Sequence, residues 1–525
     1  MAAAVGLLAA ACSADTASRD AGDAVPADPA SSDTAGSSAD RTDPASPDAS
    51  SGNPADGGAP DAAVPADSAS SDAAAGSAPD AARDSTRGQA SSAAAIAGID
   101  ECAPDVLCGG VTADDGYEVR FTLVPAVDPG EAKGLMVLHF GGPGTDASDI
   151  VPGWRGGHPN RRLVSSFDVL GVRQRGTGAA DGLDCGNDEI LHDILTGRVA
   201  ATDPDRAERL AREWMAGCPA GRFDTVTAAS DIAAVVSHLD AGRTVFVGYS
   251  YGGVVGALLA IRHPDVVDAV VLDSPALGIL DPYAGPRQVE SFEAALANFT
   301  DNCDRTRDCR FAPDGDAGER FRRFARSYDA PGDLLFATGL LLYNETTAPQ
   351  LDEMLTAALA GDTTQVTEYA DVYHNRFGRD YPSSTEIFPI SVCADEIDDF
   401  TDDPAVARET YRELGILGEL AAVAWSPTTG SCAAWRGESV PFTLDLSDAA
   451  ADVILVASRD DPAVPWKTLK PFIDSSLPPH AGVVLVDGAF HGLWGSGNLC
   501  VETAVDAFVL DGTTPSATVE CGDFG

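Results

Sequence analysis

Residues 245 to 253, Val-Phe-Val-Gly-Tyr-Ser-Tyr-Gly-Gly, leave the backbone few options. A short apolar, β-branched run stops at Gly248, and Val254 to Ala260 reads as a buried helix. A strand that turns at once into a helix holds the residue between them in a strained conformation, with glycines where side chains would collide. This is the context of a Gly-x-Ser-x-Gly nucleophile elbow, and it puts the Ser250 hydroxyl above a sheet. Alone, the stretch also fits a glycine-rich turn with an incidental serine.

The rest of the chain narrows the choice. A formal charge of −47 over 525 residues excludes a basic face for nucleic acid or for an anionic membrane surface. The eleven cysteines include no C-x-x-C pattern, which suits an oxidising compartment better than a zinc site. Cys12 stands apart, and the others fall into neighbouring couples: Cys102 with Cys108, Cys185 with Cys218, Cys303 with Cys309, Cys393 with Cys432, and Cys500 with Cys521. Sequence does not dictate connectivity, so this nearest-neighbour pairing is an expectation.

In chain order, residues 1–12 read as an export signal. Ala2 to Ala11 is too short to span a bilayer, and Leu7-Leu8-Ala9-Ala10-Ala11-Cys12 resembles a lipobox whose cysteine is lipidated. Residues 13–95 are Ala, Asp, Ser, Pro and Gly without an aromatic residue, a composition that cannot bury enough apolar surface to fold and reads as a linker. Residues 96–275 hold the first part of an α/β core. Its expected strands are Glu118 to Val124 (exposed), Leu135 to His139, Phe167 to Val172, the Val245 run and Ala269 to Leu272, with a helix around Asp231 to Leu239. Apolar strands alternating with helices predict a mostly parallel sheet covered on both faces. Residues 276–440 carry helical patterns at Ser291 to Phe299, Gly318 to Tyr328 and Leu351 to Ala360, which predicts a helical cap over the strand ends. Residues 441–525 return to the core, with strands at Val453 to Val456 and Val483 to Val486.

A serine hydroxyl is a weak nucleophile until a base takes its proton, and the base needs an acid to hold its tautomer. The order here is Ser250, Asp461 after one late strand, then His491 after the last. Of eight histidines only His491 has that placement; the others occur singly, so no metal and no cofactor is expected. Charge developing on the substrate oxygen needs preorganised donors. The candidates are the backbone N–H groups of Tyr251 and of Gly142, in the Gly141-Gly142-Pro143-Gly144 loop after the Leu135 strand.

Together, Gly-Gly-Pro-Gly, Phe-Asp-Val-Leu-Gly-Val-Arg-Gln-Arg-Gly-Thr-Gly, Gly-Tyr-Ser-Tyr-Gly-Gly, Asp-Pro-Ala-Val-Pro and the final His-Gly resemble the secreted tripeptidyl aminopeptidase and proline iminopeptidase group. The similarity runs from about Cys102 to Cys521. It implies the α/β-hydrolase fold with a helical cap insertion, and it selects Asp461 over Asp460 as the acid. The sequence departs from the group at Val464, where Thr is usual, and at Phe140, where Asn or His is frequent. The resemblance also implies cleavage of short peptides from a free N-terminus. Cys393-Ala394-Asp395-Glu396 resembles a Cys-x-Asp segment of the group, so Asp395 and then Glu396 are candidates to bind the substrate ammonium. Asp231, Asp273 and Arg175 read as structural.

The expectation is an exported serine aminopeptidase, monomeric, that acts on peptides and touches the membrane only through a lipid anchor. An esterase or amidase with the same triad is the alternative among enzymes. A lipoprotein that uses a hydrolase domain only for binding is the alternative outside them.

Overall fold

The computed structural model describes residues 98–127, 130, 132–178, 182–397 and 401–522. The expected export signal with Cys12, and the linker 13–95, lie outside the described residues.

Among the described residues the chain forms one sheet of β1 (Ile99–Ala103), β2 (Val106–Thr112), β3 (Glu118–Val124), β4 (Leu135–His139), β5 (Asp168–Val172), β6 (Thr244–Tyr249), β7 (Ala269–Asp273), β8 (Asp452–Ser458), β9 (Gly482–Val486) and β10 (Val519–Cys521). Their order across it is β1-β2-β3-β5-β4-β6-β7-β8-β9-β10. The pairs β1/β2, β2/β3 and β3/β5 are antiparallel, and every pair from β5/β4 onward is parallel. After β4 the chain lays β5 on one side, then crosses to lay β6 on the other. That reversal opens a crevice at the C-terminal ends of β4 and β6, where sheets of this kind bind ligands.

Helices cover both faces, which is why β4, β6 and β7 are buried along their whole length. The helices of the first half are α1 (Ala147–Gly157), α2 (Arg161–Ser165), α3 (Asp188–Leu195), α4 (Pro204–Gly217), α5 (Thr225–Leu239) and α6 (Tyr251–Arg262). Side chains alternate across the sheet. Thus Phe246 enters the core under α5 and α6, whereas Val245, Val247 and Tyr249 enter the opposite core with Val151 and Trp154 of α1. Each such buried side chain contributes about 1.5–3 kcal/mol.

Between β7 and β8 lies an all-helical insertion: α7 (Ala284–Thr306), α8 (Ala317–Ser327), α9 (Pro331–Leu342), α10 (Ala348–Leu359), α11 (Thr364–His374), α12 (Ser383–Ala394), α13 (Pro404–Arg412) and α14 (Ile416–Ala424). It has its own core, which includes Phe292, Leu334, Met354 and Leu417. After β8 follow α15 (Trp466–Ser476) and, after β9, α16 (Leu499–Asp511).

Some details differ from the sequence expectations. β3 is buried over most of its length, because α1 and α5 pack on it. β1, β2 and β10 extend the sheet at its two edges. β1 is mostly exposed and β2 half-buried along most of its length, so no alternation marks them. Disulfides fasten both edges: Cys102–Cys108 joins β1 to β2, and Cys500–Cys521 ties α16 to β10. The other bonds among the described residues are Cys185–Cys218, Cys303–Cys309 and Cys393–Cys432, so each of these ten cysteines pairs with its neighbour in sequence.

Candidate active site

Ser250 stands between β6 and α6 with φ +56° and ψ −119°, a region that non-glycine residues rarely occupy. The glycines around it answer to close approach. A Cβ on Gly248 would lie 2.1 Å from the Gly252 carbonyl oxygen, and one on Gly252 would lie 2.3 Å from the His139 carbonyl oxygen. Larger residues at either place would push β6, β4 and α6 apart. A Cβ on Gly141 would lie 3.3 Å from Ser250 Oγ, so the glycine loop after β4 runs beside the serine hydroxyl. The parallel register of His139 with Gly248 sets that contact.

Gly142 has φ +116° and a cis peptide bond to Pro143. The next N–H, from Gly144, donates to Gln174 Oε1 at 3.0 Å, which ties this loop to the segment after β5. Tyr251 opens α6, where the first N–H groups have no partner within a helix. Among the described residues no hydrogen bond uses the N–H of Gly142 or of Tyr251. Both are therefore available to an oxyanion.

Asp461 and His491 follow β8 and β9 and are both buried. Asp461 Oδ1 accepts the N–H groups of Ala463 at 2.8 Å and Val464 at 2.9 Å. That grip orients the carboxylate, whose oxygens lie 3.1 and 2.9 Å from His491 Nδ1. Nδ1 then carries the proton and Nε2 keeps its lone pair. Among the described residues the Ser250 hydroxyl makes no hydrogen bond, to His491 or elsewhere. Such contacts are often long without substrate.

The segments that carry Ser250 and His491 meet instead on Asp273 and Ser274, at the end of β7. The Asp273 main-chain carbonyl accepts the Ser250 N–H at 2.9 Å. Its fully buried carboxylate accepts the N–H groups of Leu493 at 2.9 Å and Trp494 at 2.6 Å, while Ser274 Oγ accepts that of Gly492 at 2.9 Å. Burial pushes the Asp273 carboxyl pKa up, against the pull of these bonds. A strand-ending Asp-Ser marks a loop, but its partners more than 200 residues away leave no local signal.

Asp395 is corrected by the structure. It is only 2 % exposed, and its carboxylate accepts the Thr225 N–H at 2.7 Å and the Thr225 hydroxyl at 2.5 Å, at the start of α5. Thr225 Oγ1 in turn meets the Tyr251 hydroxyl at 2.7 Å. Asp395 thus braces the residue after the nucleophile and is not presented to a substrate ammonium. Burial raises its pKa to about 7. Glu396 is exposed beyond the end of α12, with φ +50°. Arg175 holds Asp231 through bonds of 2.6 and 2.8 Å and Asp115 at 2.5 and 3.0 Å, and its charge lowers the Asp115 pKa to about 2. It pins the loop after β5 to α5.

The helical insertion reaches the base directly. His491 N–H donates to the Tyr343 carbonyl at 3.0 Å, and the two rings stand 5.3 Å apart. Glu345 N–H donates to the Ala489 carbonyl at 3.1 Å, while Ala489 N–H donates to Glu345 Oε2 at 3.2 Å.

Residues 134–496 match the family model described as the alpha/beta hydrolase fold. The chain belongs to the α/β-hydrolase family. It is 26% identical over 457 residues to serine protease Hip1 of Mycobacterium tuberculosis, covering 78% of this chain and 84% of that protein. To carboxylesterase B of the same organism it is 26% identical over 449 residues, 77% of this chain and 83% of that one. To tripeptidyl aminopeptidase of Streptomyces lividans it is 25% identical over 495 residues, 82% and 88%. The α/β-hydrolase family and fold make it a hydrolytic enzyme.

Proposed function

We propose that the protein is an exported serine aminopeptidase that releases short peptides, two or three residues long, or single residues from free peptide N-termini. The observation that carries this reading is the buried Asp461–His491 pair beyond the ends of β8 and β9, with Ser250 in a strained turn beside the Gly141 loop. His491 Nε2 takes the proton of Ser250 Oγ as the oxygen attacks the scissile carbonyl. The oxyanion lies against the N–H groups of Gly142 and Tyr251, an interaction worth about 10²–10³-fold in rate per donor. His491 then gives its proton to the leaving amine, and water hydrolyses the acyl-enzyme by the same path. The five disulfides support an oxidising, extracytoplasmic setting, and Cys12 is the proposed lipid attachment. The N-terminal specificity is carried over from the relative named tripeptidyl aminopeptidase, and the name serine protease Hip1 supports a peptide substrate.

Fluorophosphonate labelling of the wild-type chain but not of Ser250→Ala is the expected result; labelling that persists in the variant would overturn the nucleophile. A panel of chromogenic peptides with free and blocked N-termini then tests the exopeptidase reading, which equal turnover of both would rule out. The similarity to carboxylesterase B supports the esterase alternative, and simple esters in the same panel measure it.

A further inference from the structure

The two candidate oxyanion donors come from separate segments of the core. Gly142 lies in the glycine loop after β4, and Tyr251 opens α6. One helix of the insertion, α12, is tied to both segments.

Its first half meets the glycine loop. A Cβ on Gly144 would lie 2.2 Å from the Ser384 carbonyl oxygen and 2.5 Å from Ile387 Cγ2, and one on Gly176 would lie 2.6 Å from Ile387 Cδ1. Ile387 is fully buried. It therefore fills the space between the glycine loop and the loop after β5, the two loops that the Gly144 N–H joins through Gln174. A Cβ on Gly142 would lie 2.9 Å from the Gly144 nitrogen, so Gly144 packs directly on the donor residue.

The other end of α12 reaches the second donor. Ser391 Oγ donates to the Phe223 carbonyl at 2.9 Å, and Asp395, directly after the helix, takes the N–H and the hydroxyl of Thr225. An ionised carboxylate only accepts hydrogen bonds. The Thr225 hydroxyl thus donates to Asp395 and accepts from the Tyr251 hydroxyl, and the chain of bonds runs from Tyr251 through Thr225 to the insertion. All three residues are buried, where a hydroxyl left without a partner is costly. The Cys393–Cys432 disulfide fastens this end of α12 to the rest of the insertion.

We propose that α12 is the brace of the oxyanion hole: Ile387 sets the loop that carries Gly142, and Asp395, through Thr225, sets Tyr251. Both are positioning residues that act through the donors. The proposal rests on the serine-hydrolase reading above and adds residues of the insertion on which the rate depends. Fluorophosphonate labelling tests it without a known substrate, because the phosphoryl oxygen of the probe enters the same hole. At a pH above about 7, where Asp395 is ionised, Thr225→Val and Ile387→Ala should each lower the labelling rate constant about tenfold, less than the 10²–10³-fold that a lost donor costs. The final extent of labelling should stay complete. Thr225→Ser, which keeps the hydroxyl, should restore most of the rate. Ile387→Val should lose about threefold and carries that arm if the alanine variant does not fold. With a chromogenic peptide the same losses should appear in kcat, with KM nearly constant. A wild-type rate constant in Thr225→Val or in either Ile387 variant would overturn the brace, whatever the extent of labelling. An unlabelled wild-type chain would instead break the serine-hydrolase reading beneath it.

Discussion

The strand ends and the helical insertion touch one another around His491 and are built in different ways. At the strand ends, Ser250, Asp461 and His491 are held through backbone groups. Asp273 takes N–H groups from Leu493 and Trp494 with its carboxylate and from Ser250 with its carbonyl, and Asp461 takes those of Ala463 and Val464. The insertion meets that frame at separate points: residues 343–345 on the loop before His491, Ser384 and Ile387 of α12 against Gly144, Asp395 on Thr225, and Gln288 of α7, whose side-chain N–H donates to the Ala463 carbonyl. The contrast is between a frame tied backbone to backbone along the sheet and an insertion that touches it at a few places.

The largest test of that division is Asp273→Asn. The amide keeps one acceptor and turns the other into a donor facing backbone N–H groups. The loop after His491 should lose its register, and a misplacement of about 1 Å costs on the order of 10²-fold. kcat should fall by about that factor with KM nearly constant, measured by steady-state kinetics, and the fluorophosphonate labelling rate should fall alongside it. A drop in thermal midpoint with an unchanged rate would show that Asp273 supports the fold and does not position the base.

Glu345→Ala asks how firmly the insertion holds the base. Loss of a charge-assisted bond to Ala489 N–H is worth about 1.5 kcal/mol or more, and kcat/KM should fall about tenfold. A rate equal to wild type would mean that the core alone sets His491.

The smallest effect is on stability. Burial raises the pKa values of Asp395 and Glu386 in the insertion, and of Glu502 in the core, to about 7 from 3.8 for the Asp and 4.5 for each Glu. Between those values the folded chain binds more protons than the unfolded one, so stability rises as pH falls from about 7 toward 5. The thermal midpoint should climb by a few degrees over that interval. Asp395→Asn should flatten the insertion's share of the slope and Glu502→Gln the core's; scanning calorimetry against pH separates them. A slope that neither variant alters would show that these carboxyls are not its source.

Much of the site was legible from residues close together in sequence. Gly248 and Ser250 declare the elbow because the collision Gly248 avoids, with the Gly252 carbonyl, lies within one turn of chain, whereas the one Gly252 avoids, with His139, is long-range. Asp461 and His491 each follow an apolar run, and that is enough to place them at strand ends. Asp395 shows where such reading fails. Its neighbours suggested a substrate-facing acid, but a carboxylate at the end of α12 can turn toward the cleft or toward the start of α5, and only the position of Thr225 decides. β1 and β10 were illegible because short edge strands carry no periodicity, and β2 because its burial does not alternate; they take their place from the strands and disulfides beside them.

By itself, then, the sequence determined whatever depends on backbone conformation within a few residues: the glycine-flanked turn at Ser250, the glycine loop, the apolar strands, and the order in which Ser250, Asp461 and His491 leave the sheet. Tertiary structure decided the rest. Asp273 became the joint between Ser250 and the His491 loop, and Tyr343 came to stand beside the His491 ring. Each of these depends on which distant group a side chain faces. That is a property of how β7, α9 and the His491 loop come together in space, and no neighbouring residue encodes it.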